Sequence, residues 1–174
     1  MPKRQTAKLL ANAALFQLGW FLCVFAAQQP WLLLGVPLLL AIHLRWVAGW
    51  HAEGRLLVSV LLSGAALDST LLQMGVLDFA GDSLLLPLWL AALWLLFGTT
   101  LNHCLAWSAR PWWRASLLGA CGGPLSYYAG AQLAGVGMPL GLWPSLLILA
   151  GCWAVLLPLL HGFASLQRQR LASQ

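Results

Sequence analysis

The sequence predicts an all-α protein, a polytopic transmembrane bundle of six helices with both termini cytoplasmic. Three observations predict it: the scarcity of charge, the recurrence of apolar stretches of spanning length, and the placement of the basic residues. Of 174 residues, 61% are hydrophobic and 7% charged, with a mean hydropathy of +0.82. A water-soluble domain carries about 25% charged residues to keep its surface wet. Four acidic and nine basic side chains cannot do this, so lipid is the solvent that fits the apolar surface.

A spanning helix needs roughly 20 mostly apolar residues. The first candidate covers about 8–27, after Lys3, Arg4 and Lys8. It has no small-x-small cleavage site and carries Asn12 and Gln17, so it reads as a retained helix rather than a signal peptide. Gln28, Gln29 and Pro30 form a polar turn before a second span at 31–50, and His51 to Gly54 a short charged connection before a third at 55–77. Asp78 to Ser83 precede a fourth span at 84–107, which Ala109, Arg110 and Pro111 stop. The fifth and sixth, 115–136 and 142–163, are separated by a segment rich in glycine with Pro139. The whole chain, 1–174, reads as a single integral membrane domain.

The basic residues test this order. Lys3, Arg4, Lys8, Arg45, Arg55, Arg110, Arg114, Arg168 and Arg170 all fall on one side of six spans, and Asp78 and Asp82 on the other. Positive loops stay cytoplasmic, which places both termini inside. An odd number of spans would scatter the pattern. The same scatter of cations between apolar runs, without a dense patch, argues against a nucleic-acid partner for the +5 net charge. Of eleven tryptophans, Trp31, Trp50, Trp107, Trp112, Trp113 and Trp143 sit near span ends, where indole prefers the headgroup level. Trp20, Trp89, Trp94 and Trp153 lie deeper. Cys23, Cys104, Cys121 and Cys152 lie singly in apolar segments and read as small hydrophobes.

Polar side chains within a membrane face the bundle interior. Counting along each span puts Asn12, His51, Glu53, Asn102, His103 and His161 in a shallow layer and Gln17, His43, Asp68, Thr99, Ser126 and Tyr127 in a deeper one. That asymmetry predicts a polar cavity open toward the cytoplasm or inner leaflet. Asp68 is near mid-membrane, with Gly64 and Gly75 on its face and Ser126, Tyr127 or His43 as candidate partners. It reads equally as a hydrogen-bonded joint between helices and as a ligand, base or proton carrier. His43, His51, Glu53, His103 and His161, together with Asp68, supply residue types for a divalent metal, but no HExxH or HxxxH spacing on one helix supports one. Without metal, His103 and Glu53 form an acid/base pair. Ala115, Gly119 and Gly123 make a small-residue stripe for close helix contact. Pro124 follows and predicts a kinked or opened helix. Close packing and a pocket lined by Ser126 and Tyr127 are both open readings of that segment.

Several of these segments carry a resemblance: Asn12 to Trp20 with Gln17 inside, Ala41 to Leu44 around His43, Asp68-Ser69, Thr100 to His103, and Gly123 to Tyr127. They resemble an uncharacterised bacterial inner-membrane family, the domain of unknown function numbered twenty-eight seventy-eight, over nearly the whole chain. The resemblance implies a compact multi-span protein without an assigned activity or catalytic residue. It also implies, through members encoded beside fatty-acyl-modifying enzymes such as cyclopropane synthases, a link to lipid metabolism.

Two function classes stay open. One is an accessory or lipid-binding protein, with membrane lipids or a lipid-modifying enzyme as partners and Asn12, Gln17, His43, Asn102, Ser126 and Tyr127 as ligand-binding candidates. The other is a membrane-embedded, hydrolase-like enzyme using His103, Asp68 and Glu53, with His43 a further group. The cofactor is left open, a metal included. A small transporter is a weaker third reading, because no paired broken helices or internal repeat is evident.

Overall fold

The structure, a computed structural model, describes residues 2–79 and 83–173, with side chains from residue 5 onward. Lys3, Arg4 and Asp82, used above for orientation, lie outside the described side chains. The described chain is all-helical, with six α-helices and two 3₁₀ turns. These are α1 (Pro2–Ala26), α2 (Gly35–Trp46), α3 (Trp50–Gln73), α4 (Leu88–Gly98), α5 (Trp113–Ala134) and α6 (Leu142–Ala172).

Three helical segments are long and apolar enough to cross a membrane: Gln5–Ala26, Trp50–Gln73 and Leu142–Ala172. A 3₁₀ turn, Pro30–Leu34, leads into α2. Pro30 opens it, since its missing N–H is one that no turn would satisfy. Even together they make a short apolar rod, Pro30–Trp46. α4 has 11 residues, about 16 Å at helical rise, half of a hydrocarbon core. α5 has the length, 22 residues, but a composition dominated by small side chains.

α6 runs to Ala172, nine residues past the expected end at 163, so Arg168 and Arg170 lie on the helix rather than after it. The boundaries differ from expectation at two further places. The reversal between α2 and α3 falls at residues 47–49, where the N–H groups of Val47 and Ala48 both bond to the His43 carbonyl. Gly49 then turns extended (φ −80°, ψ 158°) to start α3. The expected connection from His51 to Gly54 is therefore the first turn of α3. Glu53 sits there, where a carboxylate is favoured by the exposed N–H groups of a helix start. The second difference is the expected span 84–107. The α-helix ends at Gly98, and the chain continues through turns to a 3₁₀ segment, Ala106–Ala109. Thr99 and Thr100 hydroxyls, each 2.6 Å from the carbonyls of Leu96 and Phe97, compete for the acceptors of the last helical turn. Pro124, by contrast, lies inside an unbroken α5, so the helix does not open there.

α5 and α6 form the most extensive pair, α4 packs on α3 and α1, and α2 leans on α1. The main core gathers Leu56, Val60, Trp94, Leu149 and Leu157, and a smaller one holds Cys23, Val36, Leu39 and Leu96. All four cysteines are free. Around the bundle Leu10, Leu34, Leu62, Leu125, Leu147 and Val155 are exposed, an apolar exterior that water would penalise and lipid accepts. Trp31, Trp50, Trp107, Trp112, Trp113 and Trp143 are exposed as well.

The connections collect at two ends. The loop after α3 turns at Gly75 (φ 70°) and meets the loop after α5 through reciprocal backbone bonds of Asp78 and Gly137, at 2.9 and 2.8 Å. At the opposite end, Gln167 on α6 reaches the carbonyl of Ala52 at 3.2 Å, and Arg168 bonds to Asn102. Lys8 of α1 comes to 3.5 Å from the carbonyl of Val47.

Candidate functional site

The polar residues separate into two buried groups on α3. Glu53 and Asp68 are fifteen residues apart, so about 22 Å of helix lies between them.

The first group is a chain of hydrogen bonds. Glu53 is 2% exposed and takes His43 Nε2 on one carboxylate oxygen at 2.7 Å and His103 Nε2 on the other at 2.6 Å. The two imidazoles meet edge to face, 5.3 Å apart. Behind them Asn12, fully buried, accepts the N–H of Cys104 at 3.2 Å and donates to the Thr99 carbonyl at 3.1 Å. Those are backbone groups of the stretch where α4 has stopped, so Asn12 replaces partners that the missing helix would have supplied. They also settle its orientation: the Cys104 N–H can only donate, so the Asn12 oxygen faces it.

That orientation sets the chemistry of His43. The Asn12 amide nitrogen lies 3.3 Å from His43 Nδ1, and it can only donate. Nδ1 is then an acceptor, the proton sits on Nε2, and Nε2 donates to Glu53. One ligand atom each of His43, Glu53 and His103 lies within 4.8 Å of the others, close enough to share a metal ion. A metal on His43 Nε2 needs a proton on Nδ1 with an acceptor behind it, and Asn12 presents the opposite. The residues therefore suit proton handling better than metal ligation. Asn12→Asp, which puts an acceptor behind Nδ1, is expected to raise zinc affinity about tenfold or more. Competition with a chromophoric chelator measures this. Equal zinc affinity in both proteins would show that Asn12 does not control the site.

His103 is the outlet of the chain: its side chain is 17% exposed, against 3% for Glu53. Its Nε2 is directed at Glu53, which leaves Nδ1 as the nitrogen available to another group. Asn102 beside it is held by Arg168. His51 is exposed and stands apart from this group, and His161 pairs with Ser108 at 2.9 Å. Of the six residues expected to supply a metal site, three come together, and Asp68 stands in the other group.

The second group surrounds Asp68, which is fully buried. Tyr127 Oη donates to one carboxylate oxygen at 2.5 Å and Trp94 Nε1 to the other at 2.6 Å. Sequence reasoning included Tyr127 among the partners and missed Trp94. The signal for it was Gly64, one turn before Asp68: a Cβ there would lie 1.9 Å from the Trp94 ring, so the missing side chain is the space the indole occupies. Trp94 in turn stacks on Trp153 at 5.2 Å with planes 7° apart. Trp153 fits against Gly119 and Gly123 of the small-residue stripe. His43 and Ser126, the other expected partners, bond instead to Glu53 and Trp20.

Beside this group lies a cavity of about 190 Å³, bounded by Phe16, Trp20, Trp94, Phe97, Tyr127 and Trp153 among others, with Gly119, Gly122 and Gly123 along α5. It is apolar, whereas the sequence led us to expect a polar one: the polar groups close on each other and leave aromatic faces to line the space. Ser126 lies at its edge, accepting from Trp20 Nε1 at 3.0 Å. Trp153 Nε1 is the one buried side-chain nitrogen or oxygen without a hydrogen-bond partner among the described residues. Gln17 is exposed and joins neither group.

A model of one family matches residues 9–159, and its description reads "Protein of unknown function (DUF2878)". No curated protein and no solved structure matches the chain. The chain belongs to that family.

Proposed function

We propose that this member of the family is a multi-pass protein of the bacterial inner membrane, with both termini cytoplasmic, that binds an acyl chain carrying an oxygen acceptor. The observation that carries the reading is the apolar cavity inside a bundle whose exterior is also apolar. A lipid chain can reach it without crossing water. Its volume, about 190 Å³, exceeds the roughly 150 Å³ at which an apolar cavity in a protein takes up benzene. It suits a segment of one chain rather than a whole lipid. Trp153 Nε1 lies beside Tyr127 but meets no acceptor in hydrogen-bond geometry among the described residues. It therefore offers a donor to an ester, carboxyl or hydroxyl oxygen; a buried donor left unpaired costs about 1–3 kcal/mol.

A second reading, a hydrolase-like membrane enzyme, is favoured by the Glu53–His103 bond, which holds an imidazole by its Nε2 side and leaves its other nitrogen to act as a base. The two readings separate in one experiment. Lipids of a deletion strain are compared by mass spectrometry after complementation with wild type, Gly122→Phe or His103→Ala at matched membrane abundance. Gly122 lines the cavity, and an added Cβ would meet only Leu118, at 4.0 Å, so phenylalanine extends into free space. Under the binding reading, His103→Ala restores the lipid profile, Gly122→Phe does not, and purified wild type retains a lipid that Gly122→Phe lacks. Restoration by Gly122→Phe with failure of His103→Ala would replace binding by catalysis.

A further inference from the structure

A second site lies at the other surface of α3. The first turns of α3 and the last turns of α6 diverge around a groove of about 710 Å³. Its walls carry Arg55 and Arg170, both exposed, and His51 and Gln167. The floor is Val58, Phe163 and Leu166. No acidic residue lines it, and neither guanidinium has an ion-pair or hydrogen-bond partner among the described residues. At its edge the Trp50 ring lies over Gly54, where a Cβ would stand 2.7 Å from the indole.

We infer that this groove binds the phosphodiester headgroup of an anionic phospholipid, with Arg55 and Arg170 on the phosphate and an acyl chain along Val58, Phe163 and Leu166. The inference rests on the membrane placement proposed above and not on the internal cavity. Two unpaired guanidiniums over an apolar floor match one molecule, an anion joined to a hydrocarbon chain. Arginine presents a planar fork to phosphate oxygens, and basic pockets between helices at the cytoplasmic surface select anionic headgroups. Trp50 lies where an indole prefers the interface. Free phosphate would meet the arginines but leave the floor uncovered.

The test uses the full chain in detergent, titrated with phosphatidylglycerol, phosphatidylcholine or inorganic phosphate and followed by native mass spectrometry. Phosphatidylglycerol is expected to bind wild type in preference to phosphatidylcholine. Arg55→Gln or Arg170→Gln should weaken it roughly fivefold each, and the pair about 25-fold. Phosphatidylcholine binding should be unchanged in all three. Equal phosphatidylglycerol affinity in wild type and the double variant would overturn the site. Competition by millimolar inorganic phosphate would reassign it to a soluble anion. Gly122→Phe separates the two sites: it should keep the preference for phosphatidylglycerol over phosphatidylcholine whether or not it loses the lipid expected in the cavity.

Discussion

Gly119→Ala is expected to lower stability in detergent by about 3 kcal/mol or more, at the upper end of what overpacking costs. The reason is the nature of the obstacle. An alanine Cβ at 119 would stand 2.2 Å from the carbonyl oxygen of Trp153 and 2.8 Å from its carbon. A side chain in the way could rotate, but a helix backbone moves only if α5 and α6, the most extensive pair in the bundle, separate. Separation would also pull Trp153 away from Trp94. Gly122→Ala is the internal control. It adds the same methyl three residues along the same helix, next to nothing closer than 4.0 Å, and should change the unfolding midpoint little. Equal midpoints for the two alanine variants, by thermal or denaturant unfolding, would show that close approach at Gly119 is not what holds α6.

Asp68→Leu is expected to destabilise the bundle by roughly 2–4 kcal/mol, and Asp68→Asn by about half of that. Two opposing effects decide the sign. Leucine removes a group whose insertion near the bilayer centre costs about 2.5–3.5 kcal/mol. That cost is carried by the inserted helix whether or not the helices have packed, so it drops out of tertiary stability. What remains is the stranding of the Trp94 N–H and Tyr127 O–H, each about 1–3 kcal/mol when buried without an acceptor. Hydrogen bonds between membrane helices are worth less on average, which sets the lower figure. Asparagine keeps an acceptor oxygen for the Trp94 N–H and turns its amide to Tyr127 Oη, which accepts it but leaves the Tyr127 O–H without an acceptor. Unfolding midpoints of both variants measure the order. If Asp68→Asn folds to normal abundance and still fails to restore the lipid profile, the carboxylate acts through its charge and not only as a joint. An unchanged midpoint in Asp68→Leu would show that Trp94 and Tyr127 are held by ring packing alone.

The position of His43 shows how a small error in reading propagates. Sequence reasoning ended the second span near residue 50 and so set His43 deep in the membrane, within reach of Asp68. α2 ends at Trp46 and α3 begins at Trp50. His43 and Glu53 therefore each lie three residues from the same short reversal, and they meet. A shift of four residues at a helix end moves a side chain by about 6 Å along the axis, enough to change its partner. Hydropathy could not resolve this, because residues 47–50 are apolar on both sides of the turn. The broken end of α4 escaped for a related reason. Threonines within an apolar run do not announce that their hydroxyls will take the last carbonyls of the helix, or that an asparagine 87 residues earlier in the chain will satisfy the rest.

The sequence by itself determined the apolar character of the protein, its all-helical class, and the short list of side chains whose burial needs a reason. These follow from quantities summed along the chain: the charge deficit, the apolar lengths, and the scarcity of Asp, Glu and His. Only the tertiary structure decided that the main polar candidates form two separate groups while His161 pairs with Ser108, that Trp94 completes the second group, and that the half-open cavity beside it is apolar. Pairing across helices depends on depth and rotation about each axis, to within a few ångströms and tens of degrees. In a membrane bundle nearly every helical face is apolar, so periodicity, which fixes rotation in a soluble protein, carries little of that information. The glycines at 64, 119 and 123 carry the rest: each marks a hollow in one helix surface, filled at 64 and 123 by an indole and at 119 by the backbone carbonyl of Trp153.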